Sequence, residues 1–97
     1  MVANFKETQL TCVRNCQPVE SLAIEYASKG IRVNAVAPGA IKTPMHAPGT
    51  HEVLAKQHPI GRMGQVRDVV DAVLYLEGAA FVTGETPHVD GGQSAGH

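Results

Sequence analysis

Tryptophan is absent from the sequence, and the aromatic side chains are limited to two tyrosines and two phenylalanines. The two cysteines, Cys12 and Cys16, are too few for a disulfide framework, and their four-residue spacing without other nearby ligands is a weak metal motif. We interpret both as reduced thiols. No apolar run approaches the ~20 residues of a membrane-spanning helix, so we expect no membrane association. The beginning, "MVANFKETQLTCVRN", lacks the apolar core of a secretory signal, which predicts a cytoplasmic location.

An excess of basic charge is also lacking, because the formal net charge is −1. We therefore expect no nucleic-acid partner. The 97 residues allow one domain with one core, and a hydrophobic fraction of 43% is ordinary for a globular protein. The histidines are scattered without metal-ligand spacing, so no metal site is predicted. They are His46, His51, His58, His88 and His97.

Regular patterning begins at Pro18, after residues 1–17, which are polar and mixed without a clear period. Proline is favoured at the start of a helix, and Gly30 is a typical helix stop. Between them, apolar side chains recur at helical spacing: Leu22, Ala23, Tyr26 and Ala27. The next stretch, "GIRVNAVA", is β-branched and alternating, and it predicts a strand.

The second half contains two further helical patterns and a strand. A loop reaches about Gly49, and a short helix is predicted over residues 51–57. The stretch "QVRDVVDAVLYLEG" predicts a helix that ends at Gly78. Its apolar residues are predicted to share one side: Val66, Val69, Val70, Val73, Leu74 and Leu76. "TPHVDGG" predicts a short strand and a glycine turn, and residues 93–97 are predicted to form a flexible tail.

A helical crossover between two strands implies that the strands are parallel and lie in one sheet. The predicted fold class is therefore α/β, with two parallel strands and about three helices. Because parallel sheets normally contain more than two strands, the predicted elements look like one end of a larger sheet.

Three stretches carry a family resemblance: "SLAIEYASKGIRVNAVAPGAIKTPM", "HPIGRMGQVRDVVDAVLYL" and "FVTGETPHVDGG". In this order and spacing they resemble the C-terminal third of a short-chain dehydrogenase/reductase, a Rossmann-type NAD(P)-dependent oxidoreductase that acts on alcohol or carbonyl groups. The resemblance implies a partial, truncated Rossmann-type domain over residues 18–92, preceded by an atypical segment, residues 1–17, and followed by the 93–97 tail.

The resemblance also implies a cofactor site for NAD or NADP. Pro38 and Gly39 would line one side of the nicotinamide ring, while the backbone of Ile41 and the hydroxyl of Thr43 would address its carboxamide. Gly39 would let the backbone approach a flat ring. Residues 45–58 match the variable substrate lid of the family, and the Gly91-Gly92 turn would lie near the pocket.

The parts of the family that carry out catalysis are missing from these 97 residues. No GxxxGxG or GxGxxG stretch occurs, and neither does an Asn-Asn-Ala-Gly segment. Counting back without gaps, the tyrosine and lysine of the family's Tyr-x-x-x-Lys pair fall on Thr8 and Cys12. A threonine hydroxyl beside a thiol cannot replace a lysine-assisted phenol. We therefore assign no catalytic residue and expect the isolated chain to lack turnover.

Two charged residues have competing interpretations. Asp90 could be a catalytic acid, but in "HVDGG" an aspartate that binds the nearby backbone of a turn is the better interpretation. Arg62 could bind a phosphate, but in "GRMG" we favour an ion pair or a bond to a loop carbonyl.

Two other functions remain open beside the oxidoreductase interpretation. The chain could be an oligomerisation module that pairs with a second copy, or with similar subunits of the same family, through the 65–77 helix and the 87–90 strand. It could also be a remnant open reading frame without a selected role. A bare sheet edge and uncovered apolar helix faces favour association.

Overall fold

The computed structural model describes residues 2–4, 9–13, 18–42, 49 and 51–96. Within these ranges the elements follow one another as β1 (Val2–Asn4), β2 (Gln9–Val13), α1 (Val19–Ala27), β3 (Arg32–Pro38), α2 (His51–Lys56), α3 (Val66–Gly78), β4 (His88–Val89) and α4 (Gln93–Gly96). None of the described helices is both long enough and apolar enough to cross a membrane.

The strands form one four-stranded sheet in which they lie side by side in chain order. β2, β3 and β4 run parallel, and β1 is antiparallel to β2 at the edge. The α/β class and the predicted parallel pair, β3 and β4, are confirmed. The sheet is larger than the sequence predicted, because it gains β1 and β2 from residues 1–17.

The two added strands are short, which explains why no period was recognised in the sequence. β1 has three residues and β2 has five. Within "QLTCV" the apolar residues Leu10 and Cys12 alternate with polar ones, and this is the weak signal of a strand. Because β2 contains Cys12, a gapless helix through that position does not form. Thr8, the other counted position, lies outside the described residues.

β3 is the central strand of the described sheet, and its residues 33–36 are buried. A parallel strand that is covered on both faces has this unbroken burial instead of alternation. Val33 and Ala35 pack against Val19 and Ala23 of α1. Because side chains alternate along a strand, Arg32, Asn34 and Val36 point to the opposite face.

Helix α1 begins and ends close to the predicted residues. Pro18 is the N-cap residue, one position before the first helical residue. At the other end the amide of Ile31 donates to the carbonyl of Tyr26 at 3.2 Å, and Gly30 has a positive φ of 74°. This hydrogen bond across a left-handed glycine is a common way to end a helix, and it leads the chain directly into β3.

Helix α3 confirms the predicted element but divides its apolar residues between two environments. Leu76 is completely buried, and Val69 and Val73 are half-buried. Val66, Val70 and Leu74 remain 56%, 44% and 57% exposed. The predicted apolar side is therefore only partly packed, because the three exposed residues, at positions i, i+4 and i+8, form a stripe beside the packed face.

The guanidinium of Arg32 ties the C-terminal end of α3 to the sheet. Nη1 donates to the carbonyl oxygens of Leu76 at 2.8 Å and Ala79 at 2.8 Å, and Nη2 donates to that of Glu77 at 2.8 Å. A third Nη1 contact reaches the carbonyl of Val82 at 3.2 Å. The last carbonyls of a helix have no partner within the helix, so Arg32 satisfies groups that would otherwise be unpaired.

Asn34 holds the segment after α3 against the same strand. It has no exposed surface. Its side-chain amide donates to the carbonyl of Val82 at 3.0 Å, and its side-chain oxygen accepts from the amide of Glu85 at 3.0 Å. A buried amide with paired donor and acceptor fixes the path of the chain from α3 to β4.

The N-terminal end of α3 is held by charge. Asp68 Oδ2 accepts hydrogen bonds from Arg62 Nη1 at 3.0 Å and from the amide of Gln65 at 2.7 Å. These two bonds lower the pKa of Asp68 below its usual value, the larger contribution coming from Arg62. A carboxylate in the first turn also interacts favourably with the helix dipole.

The last residues of the chain are more ordered than the sequence predicted. Residues 93–96 of the predicted flexible tail form the short helix α4, and residue 97 lies outside the described ranges. The helix forms because both carboxylate oxygens of Asp90 accept backbone amides, from Gly92 at 3.0 Å and from Ser94 at 3.1 Å.

We predict that Arg32→Lys lowers the free energy of unfolding by about 2 kcal/mol, because an ammonium group cannot reach all the carbonyls that the planar guanidinium joins. Urea unfolding checks this. The matched control is Arg67→Lys, whose side chain is exposed and lies 3.9 Å from Asp71. It should change stability by less than about 0.5 kcal/mol. Equal effects of the two substitutions would show that Arg32 is not a structural tie.

We also predict that Asp68→Asn lowers the melting temperature at neutral pH but not in acid. Because the folded-state pKa of Asp68 is lowered, its ionised form stabilises the fold above the unfolded pKa of about 4, and this contribution is lost as the pH falls through the folded value. Thermal unfolding at pH 7 and at pH 2 should show the difference from wild type closing, whereas a difference that persists in acid contradicts this origin. Asp71→Asn is the control.

Candidate functional site

The carboxyl end of β3 is where the three family-like stretches meet. The amide of Gly39 donates to the carbonyl of Val89 at 3.0 Å, which joins the turn after β3 to β4. The amide of Lys42 donates to the carbonyl of Gly64 at 2.8 Å, and the amide of Gly64 donates to that of Ala40 at 2.9 Å. Ligands of open parallel sheets bind beyond the carboxyl ends of the strands, so this junction is the candidate site.

The predicted cofactor residues that the structure describes lie together in this junction. Pro38, Gly39 and Ile41 are half-buried and follow one another along the turn. The fourth residue, Thr43, lies outside the described residues, as does most of the first half of the predicted lid. The structure therefore gives the position of three of the four, and the role of all four stays a prediction.

The backbone of Ile41 pairs with Gly64 on one side only. Ile41 forms a parallel bridge with Gly64. The two hydrogen bonds of this bridge join Gly64 to Ala40 and Lys42, the neighbours of Ile41, and not to Ile41 itself. Neither its N–H nor its C=O has a hydrogen-bond partner among the residues described. Both groups point away from Gly64, and an amide-bearing ligand such as a carboxamide could pair with them.

Gly39 is required by packing within the protein. A Cβ atom at this position would lie 2.8 Å from His58 Nε2 and 2.9 Å from the Cβ of Asp90. Both distances are shorter than carbon atoms tolerate, so a side chain would force apart the turn and its neighbours. The predicted reason, close approach of the backbone to a ring, is therefore not the only one that favours glycine.

The other turn of the site depends on Asp90, which confirms the turn-forming interpretation over the catalytic one. Partial burial raises the pKa of Asp90. The hydrogen bonds from Ser94 and Gly92, together with the nearby His88, lower it by more than burial raises it, so the pKa is below its usual value. The group is a stable carboxylate that holds Gly91 and Gly92 at positive φ, 60° and 93°.

Arg62 is also engaged within the protein. Its Nη1 donates to the carbonyl of Met63 at 3.0 Å as well as to Asp68. The favoured interpretation, an ion pair or a loop-carbonyl contact, is confirmed in both forms. Arg62 and Asp68 line a cleft of about 270 Å³ together with His58, His88 and Asp90. Over the described ranges no group of three or more potential metal ligands is found.

His58 is the functional candidate that the sequence did not reveal. It is only 3% exposed, and its Nε2 accepts the amide of Ala40 at 3.2 Å. Its Nδ1 lies 2.8 Å from the carbonyl oxygen of Leu54. The only sequence signal was the position of His58 directly before Pro59, at the end of the predicted lid. The spacing between histidines indicates metal sites and cannot predict a hydrogen bond from a histidine ring to backbone atoms.

Comparison with known proteins shows which family the chain resembles. A family model described as enoyl-(acyl carrier protein) reductase matches residues 16–94. Glucose 1-dehydrogenase of Gluconobacter oxydans is 44% identical over 81 residues, which are 76% of the chain and 30% of the relative. Cyclohexanol dehydrogenase of an Acinetobacter species is 49% identical over 74 residues, 74% of the chain and 30% of the relative.

Solved structures give the same result. The structure titled "ElxO with NADP Bound" superposes with a TM-score of 0.73 and 33% identity, over 79% of this chain and 34% of that one. A short-chain dehydrogenase family protein from Francisella tularensis also superposes with a TM-score of 0.73, at 27% identity. The chain spans about a third of the length of the relatives it matches. With the match to residues 16–94, these similarities show that the chain belongs to the short-chain dehydrogenase/reductase family.

Proposed function

We propose that these 97 residues supply the nicotinamide-facing and substrate-facing part of an NAD(P)-dependent oxidoreductase that acts on alcohol or carbonyl groups. The observation that carries the proposal is the junction at the end of β3, where hydrogen bonds join Gly39 to Val89 and Lys42 to Gly64. Relatives named as glucose and cyclohexanol dehydrogenases support the substrate class, and a related structure with bound NADP supports the coenzyme class.

In this proposal the turn after β3 holds the nicotinamide. Pro38 and Gly39 line one side of the ring, and the hydroxyl of Thr43 and the backbone of Ile41 bind the carboxamide. The N–H and C=O of Ile41, which have no partner within the described ranges, support this assignment, because a carboxamide offers one acceptor and one donor group to match them. The bound coenzyme would supply hydride transfer, and the chain's own residues would orient the ring.

We propose further that the isolated chain does not turn over substrate. The glycine-rich turn that holds the coenzyme phosphates and the Tyr-x-x-x-Lys pair do not occur in the 97 residues. Without them, the contacts to the nicotinamide alone must balance the entropy lost on binding. Substrate identity and the choice between NAD and NADP stay open, and a cytoplasmic location stays a prediction from the sequence.

The association module is a second candidate, and the exposed stripe on α3 favours it. Val66, Val70 and Leu74 keep roughly half of their surface accessible to solvent, although they are apolar. Next to α3, β4 pairs with β3 over only two residues, and no described strand covers its other edge. We propose that these two elements, the 65–77 helix and the 87–90 strand, bind a second copy of this chain or a similar subunit.

We predict that the purified chain binds neither NADH nor NADPH saturably up to millimolar concentration and reduces no carbonyl compound with them. Fluorescence titration and absorbance assays measure this, with the intact cyclohexanol dehydrogenase relative as the positive control. Saturable binding at micromolar concentration, or turnover that persists after removal of host enzymes, would contradict the proposed inactivity.

A chimera tests the positive half of the same proposal. Residues 18–92 replace the matching third of that relative, which then supplies the missing parts. We expect nicotinamide-dependent turnover, and we expect Thr43→Ala in the chimera to raise the KM for coenzyme about tenfold, as the loss of about 1.4 kcal/mol from one hydrogen bond would. A folded chimera without activity would argue against the oxidoreductase assignment.

We predict that the chain is at least dimeric at micromolar concentration and that Leu74→Glu converts it to monomer, because a buried carboxylate is not tolerated in an apolar contact. Light scattering after size-exclusion chromatography measures the mass. The matched control is Val53→Glu, which changes an equally exposed apolar residue on α2, 60% exposed, and should leave the mass unchanged. A monomeric wild type, or an unchanged Leu74→Glu mass, counts against association through α3.

A further inference from the structure

The imidazole of His58 occupies the point where α2 and the turn after β3 come together. A carbonyl oxygen can only accept a hydrogen bond and a backbone N–H can only donate one. Because Nδ1 faces the carbonyl of Leu54 and Nε2 faces the amide of Ala40, the partners define the ring as neutral, with its proton on Nδ1. Both ring nitrogens are therefore engaged.

The backbone around His58 is joined to the second turn of the site as well. The carbonyl of His58 accepts the amide of Gly61 at 2.8 Å, and the amide of Ile60 donates to the carbonyl of Gly91 at 3.0 Å. The ring fills the volume that the absent side chain of Gly39 leaves open. His58 thus contacts α2 and the turn after β3 directly, and it reaches the Gly91 turn through Ile60.

We propose that His58 is a positioning residue that couples the lid helix α2 to the nicotinamide-facing turn formed by Pro38, Gly39 and Ala40. The inference rests on the proposed function for the roles of the two segments as lid and nicotinamide-facing turn, but the coupling between them does not depend on it. If α2 moves, Nε2 leaves the amide of Ala40, which then loses its acceptor in a half-buried position. The lid and the turn therefore move as one unit, and a coenzyme seated on the turn also fixes the lid.

This role differs from acid–base catalysis. A general base needs a free acceptor nitrogen directed at the substrate, whereas Nε2 of His58 is occupied by the amide of Ala40 at 3.2 Å. In this proposal the ring acts through the backbone of the turn. Its contribution should be visible in the absence of any ligand.

Two substitutions separate the two bonds of the ring. The side-chain amide of His58→Gln can reach the place of Nε2 and keep an acceptor for Ala40. The shorter His58→Asn can reach only the place of Nδ1, so it keeps the donor for Leu54 and loses the acceptor. The matched control is His88→Asn, which changes an exposed histidine of β4.

Amide hydrogen exchange of the 97-residue chain measures the coupling. In His58→Asn we expect the amide of Ala40 to exchange about tenfold faster, and in His58→Gln and the His88 control within about twofold of wild type. The amide of Ala35, bonded to the carbonyl of Glu85 at 2.9 Å, is the reference for global opening. Equal acceleration of Ala40 and Ala35 in both His58 variants would mean a merely structural role and would overturn the proposal.

A measurement on the wild-type chain keeps the test independent of how the variants fold. Nitrogen-15 NMR of the His58 ring should show the tautomer protonated on Nδ1, and the opposite tautomer would overturn the proposal. Neither experiment uses a coenzyme. The coupling can therefore fail while the chimera is active, or hold while the chimera is inactive, so its failure is distinguishable from failure of the proposed function.

Discussion

The guanidinium of Arg32 is the contact on which the arrangement of the described fold depends. It projects from the first residue of the central strand and binds carbonyls at and beyond the end of α3, including Leu76 and Ala79. One end of α3 is thereby fixed to β3. The other end begins beside Gly64, which pairs with the residues that follow the same strand. Helix α3 therefore spans the distance between the start of β3 and the site beyond its end.

Burial of β3 explains why the site forms where it does. Residues 33–36 are covered by α1 on one face and by α3 with its following segment on the other, so the strand cannot shift its register without exposing its apolar set. Only beyond Val36 does the burial decrease, and there the chain leads into the half-buried turn. The junction is an opening at the end of β3, and packing on both faces of β3 fixes the position of that strand.

The helices and the central strand could be predicted because their signals are local. α1, α3 and β3 have a clear period and recognisable ends, and the structure agrees with them to within one or two residues. β1 and β2 are too short for a period to emerge. The contacts of Arg32, Asn34 and His58 were missed for another reason: their partners lie 44, 51 and 18 residues away, and backbone acceptors leave no mark in the sequence. Family resemblance located the turn, but only the structure shows that the backbone groups of Ile41 have no hydrogen-bond partner among the residues it describes.

The two candidate functions use different surfaces of the same helix. The packed face of α3 carries Leu76, whose carbonyl binds Arg32, while the stripe of Val66, Val70 and Leu74 faces outward. A contact on the stripe would not displace Asp68 or Arg62, which lie at the cleft. Association would even support the site, because a partner that restrains α3 also restrains Gly64 and therefore the turn that contains Ile41. A catalytic lineage and an oligomeric contact are compatible for this chain, and evidence for one is not evidence against the other.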